Sequence, residues 1–174
     1  VYLQGFLNAP HDLENGIFVI TSTCRSNQVK KALPIWGSIY GLWPACYVAL
    51  TALCAYRYAG DVRLLTWAEA VGHHYLQEPF PEDIQAPAMD AGLALGLLAD
   101  LYDITGHTKW LDGGLQLAAQ LMPIYLDRDL PRGASNIDWY ESQMGPSFLL
   151  HGLARITLLK QRENCVLTAD YTAR

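Results

Sequence analysis

The sequence predicts an all-α protein made of repeated antiparallel α-hairpins, with a short N-terminal strand ahead of them. Three observations carry this reading. First, the segment YRYAGDVRLL, beginning at Tyr56, recurs as YDITGHTKWL, beginning at Tyr102, with Gly60 and Gly106 in register at an offset of 46 residues. Arg63 then meets Lys109 and Leu65 meets Leu111, the pattern of a helix–turn–helix unit repeated along the chain. Second, helices apolar on every side alternate with amphipathic ones. Third, short glycine turns alternate with long polar loops.

Taken in order, residues 1–7 read as the end of a helix, and 16–22 (GIFVITS) as a short strand, because β-branched and aromatic residues dominate there. Five helices follow, at 37–58, 62–76, 89–105, 108–126 and 142–160. The first carries no charge before Arg57, residues 89–99 of the third carry only Asp90, and residues 142–154 of the fifth carry only His151, as expected of helices surrounded by protein. The second carries the stripe Leu64, Trp67, Ala68, Val71 and Tyr75, and the fourth the stripe Leu111, Leu115, Ala118, Ala119 and Met122. An inner layer wrapped by an outer layer follows from this alternation. Gly60 and Gly106 are placed as helix C-caps, and the long loops 77–88 and 127–141 gather at the opposite end. Residues 1–160 form one domain, and 161–174 an irregular tail.

Composition narrows the function. The 174 residues are 51% hydrophobic and 17% charged, with a net charge of −5. Lys30-Lys31 is the only basic pair, too little positive charge for a nucleic-acid partner. No window is long and apolar enough for a membrane span. The apolar balance instead predicts a homo-oligomer or a part of a larger chain, with open helix faces covered by another chain. The four cysteines have no C-x-x-C spacing. They suit a reducing, cytoplasmic setting, with Cys46 and Cys54 as buried thiols. No H-x-x-x-H pattern occurs, and no metal or cofactor is expected. The chain begins at Val1, as a fragment would.

The chemistry concentrates in the long loops. The segment RGASNIDWYESQMGP, starting at Arg132, brings Asp138, Trp139, Tyr140, Glu141 and Gln143 to the mouth of an inner helix. Flat aromatics stack on sugar rings, and carboxylates serve as acid, base or hydroxyl acceptor. The competing reading makes Asp138 and Glu141 helix caps and the aromatics core plugs. Asp90, a lone carboxylate just inside an apolar helix, is expected to have a raised pKa unless paired, which suits a general acid; a charge complementing the helix dipole is the alternative. His151 lines the cavity or is satisfied in the core. His73 is expected to pair with Glu69, and His74 to pack in the outer layer. Trp36, Tyr40 and Trp43 share a helical face, as core or as a sugar platform. The loop before the first helix adds Arg25, Asn27, Gln28, Lys30 and Lys31.

The repeat turn, in the form LYDITGHTKWL, and the segment DWYESQMGPSFLLHGLAR from Asp138 resemble the (α/α) toroid, or six-hairpin, glycosidase superfamily. Within it the second segment is similar to a helix of the unsaturated glycuronyl hydrolases. The similarity covers residues 33–160 and implies part of an (α/α) toroid, roughly half a ring. It also implies a glycoside hydrolase acting on an acidic, uronic-acid-containing saccharide by carboxylate acid/base catalysis, with Asp90 in that role. Asp138 or Glu141 would position water, Arg132 would hold the sugar carboxylate, and Trp43, Trp139 and Tyr140 would stack. A sugar epimerase or polysaccharide lyase on the same scaffold, the epimerase using His151 or His74, is the nearest alternative. A non-catalytic helical assembly module is the third.

Overall fold

The computed structural model describes residues 5, 7–37 and 44–161. It is mostly helical. Among the described residues an antiparallel pair, β1 (Ile17–Ser22) and β2 (Val29–Pro34), precedes five α-helices. These are α1 (Ala45–Ala59), α2 (Val62–Gln77), α3 (Ala88–Thr105), α4 (Thr108–Tyr125) and α5 (Pro146–Gln161), with a 3-10 turn at Ser142–Met144. The expected helix end at 1–7, and the tail beyond Gln161, fall almost wholly outside the described residues.

β2 corrects the sequence reading, which placed Lys30 and Lys31 in a site loop. They lie in a strand, paired through Thr21↔Lys31 and Phe18↔Leu33. Asn27 turns the hairpin with a φ of 51°, a conformation asparagine tolerates. The Thr23 hydroxyl accepts from the Gln28 amide at 3.0 Å and closes the turn. The strand was hidden because VKKALP lacks the alternation of a half-buried strand: its first three residues are all exposed. Phe18 docks the hairpin on α2, edge to face with Trp67 at 6.4 Å.

The first helix is also shorter than expected. Gly37 is not helical, and α1 begins after Pro44, which is extended at φ −72° and ψ 163°. Proline offers no N–H to a helix and disfavours helical geometry in the residue before it, so the apolar run could not continue through this position. Residues 38–43, including Tyr40 and Trp43, lie outside the described residues.

The turns follow the sequence closely. Gly60 and Gly106 adopt left-handed φ values of 66° and 69°, and their amides bond the carbonyls of Tyr56 and Tyr102 at 2.8 Å. Each closes one helix and opens the next, giving the pairs α1–α2 and α3–α4. Burial then separates the helices. α3 is buried along nearly its whole length, from Ala88 to Leu101, and packs against α1, α2, α4 and α5. α2 and α4 each bury one stripe, built on Leu64, Trp67 and Val71 in one and on Trp110, Leu117 and Leu121 in the other. Met122, expected in the second stripe, is exposed. α5 buries Leu149, Gly152, Arg155 and Ile156 but exposes Ser147, Leu150, Ala154 and Thr157. Among the described residues it is therefore covered on one side only.

Candidate functional site

The two long loops are knitted together at the entrance of α3. Ala88 donates to the Gly133 carbonyl at 2.8 Å, and Ser135 to the Ala86 carbonyl at 2.9 Å. The Ser135 hydroxyl donates to the Ile84 carbonyl at 3.0 Å, and Asn136 Nδ2 to the Glu82 carbonyl at 2.8 Å. The Tyr125 hydroxyl reaches across from α4 to the Ala86 carbonyl at 2.8 Å. These bonds satisfy backbone groups of the loops, partly from the loops themselves and partly from α4, and fix their path. A close contact between Gly145 and Met89 brings the entrance of α5 to the same place.

One arginine shapes the outer loop. Arg132 Nε and Nη2 grip the Asp127 carboxylate at 2.8 and 2.6 Å, and its Nη1 donates to the Ile137 carbonyl at 2.5 Å. This fork-to-carboxylate geometry is the strongest form of the charged hydrogen bond. The Arg132 guanidinium holds the Asp127 carboxyl down at about 2. The Gly133 amide donates to the Trp139 carbonyl at 3.1 Å. The loop is thereby folded so that Trp139 is 59% exposed and Tyr140 48% exposed. Asp138 pairs with Arg128 and lies 3.5 Å from Arg132 Nη1.

These side chains surround a recess of about 280 Å³, lined by Arg128, Asp129, Leu130, Arg132, Asp138, Trp139 and Tyr140. Four residues singled out in the sequence, Arg132, Asp138, Trp139 and Tyr140, therefore meet in one concavity. Arg128, Asp129 and Leu130 were missed. The alternating run Asp127-Arg128-Asp129 in a long loop was the signal for them: charges placed that close on an irregular segment pair with whatever the loop folds against.

The remaining candidates do not line this recess. Asp90 lies in the first turn of α3 and is only 4% exposed. Its backbone carbonyl accepts from the Cys46 thiol at 3.7 Å, and its charge acts on Cys46, Tyr75 and Tyr125. Burial first, and Asp90 second, push the Cys46 thiol far above its ordinary range; the same two causes raise Tyr125. Burial and the neighbouring Cys46 raise Tyr75. Glu141 is half-buried at the start of the 3-10 turn and makes no side-chain cap there. Gln143 is exposed in that turn. His151 is half-buried on α5, and burial followed by the Arg155 charge lowers its pKa, favouring the neutral ring. Trp43 lies outside the described residues.

Trp36 is buried at 5% exposure and forms edge-to-face pairs with Tyr75 and Phe80 at 4.5 and 5.2 Å. It is a core residue rather than a platform. His73 also departs from expectation. Its Nε2 meets Lys109 Nζ at 3.2 Å, and its ring lies 4.8 Å from Trp110. The cross-helix partner adds to the charge of Glu69, which also acts on the ring, because α2 and α4 pack together there. His74 is bound at both ring nitrogens, by Glu78 at 2.6 Å and by the Leu13 carbonyl.

Among the described residues no cluster of three or more His, Cys, Asp or Glu side chains is arranged to hold a metal ion. No helix among them is long and apolar enough to cross a membrane. Comparison of the chain with protein-family models, with curated proteins and with solved structures finds no match.

Proposed function

We propose that this chain is a carbohydrate-active protein, a glycoside hydrolase acting on an acidic saccharide at the recess formed by the loop 127–141. The observation that carries the reading is the composition of that recess: an exposed indole and phenol beside two guanidiniums and two carboxylates. Its volume of about 280 Å³ lies just under the ~300–1,000 Å³ of sites that enclose small molecules. It is suited to one sugar ring with the rest of the chain in solvent. In this reading Trp139 and Tyr140 stack on the apolar face of the ring and Asp138 is the acid/base carboxylate within the recess; Asp90 and Glu141, at the same loop end but outside the lining, support the loops that form it. The helical hairpins would form part of an (α/α) toroid.

A panel of neutral and acidic mono- and disaccharides, followed by Trp fluorescence and by product analysis, tests this. Saturable quenching that Trp139→Ala removes is expected, as is cleavage that Asp138→Asn abolishes. Cleavage unchanged in Asp138→Asn would take Asp138 out of the mechanism. No response to any saccharide would overturn the reading.

The exposed stripe Ser147, Leu150, Ala154 and Thr157 on α5 supports a second proposal. The described helices cover α3 from several sides but α5 from one. The stripe would be covered by a second copy of the chain, continuing the hairpin array. A homo-oligomer in dilute solution that Leu150→Glu dissociates is expected; a wild-type monomer would show this proposal to be wrong.

A further inference from the structure

The recess contains two arginines, and they are held differently. Arg132 is committed on both sides: Asp127 occupies Nε and Nη2, and the Ile137 carbonyl occupies Nη1. Its side chain is 18% exposed. Releasing it would break the hydrogen bonds that tie Asp127 and Ile137 across the loop that carries Trp139. Arg128 is 55% exposed and has Asp138 as its close partner, while its Nε stands 3.7 Å from Asp127. Asp138 in turn is 64% exposed. An ion pair this open contributes little to stability, since both charges remain solvated and both side chains retain freedom. A carboxylate arriving from solution can therefore replace it without disturbing the fold.

We propose that Arg128, rather than Arg132, is the residue that selects acidic ligands, and that it does so by exchange: the ligand carboxylate takes the place of Asp138 on the Arg128 guanidinium. Arg132 is a positioning residue that sets the loop. The planar fork of Arg128 suits a carboxylate. Trp139 and Tyr140, on the same rim, meet the ring that bears it. Exchange has a second consequence. Asp138, released from Arg128, keeps only the longer approach to Arg132 Nη1 at 3.5 Å, so an acidic ligand loosens on the recess rim a carboxylate that a neutral ligand leaves paired with both arginines. The inference rests on the saccharide reading of the recess, which it deepens by naming the selective residue and the group it displaces.

The test is titration of the chain with glucuronate, glucose and acetate, read by Trp fluorescence and by chemical-shift changes of the Arg128 side chain. Wild type is expected to bind glucuronate ~3–10-fold more tightly than glucose, the size of one partly exposed charged hydrogen-bonding pair. Arg128→Gln is expected to abolish that preference while leaving glucose binding within about twofold. Asp138→Asn is expected to strengthen glucuronate binding severalfold, because the internal competitor has lost its charge. A preference that survives Arg128→Gln, or a weaker glucuronate complex in Asp138→Asn, would overturn the exchange while leaving the saccharide reading intact. Binding of acetate at Arg128 without response to either sugar would remove the saccharide reading and keep the carboxylate selectivity. Silence toward all three ligands would remove both.

Discussion

Gly92 and Gly152 face each other where α3 and α5 come together, so closely that a Cβ on Gly152 would stand 2.6 Å from the Gly92 carbonyl oxygen. A Cβ on Gly92 would stand 2.2 Å from the backbone carbon of Phe148 and 2.3 Å from the amide nitrogen of Leu149. Backbone atoms cannot rotate out of the way as a side chain can. The tightest helix pairing in the fold therefore depends on two missing methyl groups. It also fixes where the entrance of α5 lies relative to α3, and so where the loop ahead of it is delivered.

Gly92→Ala is expected to lower unfolding stability by at least the ~1–3 kcal/mol typical of overpacked cores, since the whole of α5 must shift. Denaturant unfolding of the variant measures this. A change under about 0.5 kcal/mol, the scale of an inconsequential surface substitution, would contradict the close approach.

Asp100 and Arg155, both side chains 4% exposed, form an ion pair between α3 and α5. Arg57 of α1 joins Asp100 at 3.2 Å. Removing one charge of a buried pair strands the other, at a cost of about 3–5 kcal/mol. Asp100→Asn is expected to show that loss in denaturant unfolding. The joint replacement Asp100→Leu with Arg155→Met is expected to be less destabilising than the sum of the single changes.

The Asp127–Arg132 clamp predicts acid sensitivity of the recess. Asp127 is held at about 2, below its ordinary 3.8, chiefly by the Arg132 hydrogen bonds. A carboxylate lowered on folding contributes stability that is fully present above its unfolded value and is lost as pH falls through the folded one. The loop should accordingly loosen between about pH 4 and about pH 2. Trp139 emission and protease sensitivity at 127–141 should change in that window in wild type, and already at neutral pH in Asp127→Asn. Identical acid profiles for the two proteins would exclude the clamp.

Cysteine reactivity offers an independent check on the cluster around Asp90. Cys24 is exposed and Cys46 buried, and burial pushes the Cys46 thiol strongly upward. The thiolate is the reactive form. A thiol reagent at neutral pH is expected to label Cys24 in the native protein and to reach Cys46 only on unfolding. Rapid native labelling of Cys46 would mean that the cluster is open to solvent.

The sequence by itself determined the helical class, the five-helix order and the Gly60 and Gly106 turns, because these depend on local geometry. A left-handed cap needs glycine and an amphipathic helix declares its period; of the three helices read as apolar on every side, only α3 is buried throughout, while α1 and α5 each expose part of their surface. It also placed Arg132, Asp138, Trp139 and Tyr140 in a loop with surface chemistry. The start of α1 at Ala45 was legible in Pro44 but was overridden by the apolar run around it. Other features only the tertiary structure decided. β2 exists because β1 offers it a partner, and the Lys30-Lys31 pair gives no sign of that. His73 turns to Lys109 because α4 lies beside α2. Arg132 binds Asp127 and leaves Arg128 to the exposed Asp138, although both arginines look alike along the chain. A side chain's partner depends on which segments packing brings within a few ångströms, and neither helical period nor local propensity encodes that distance.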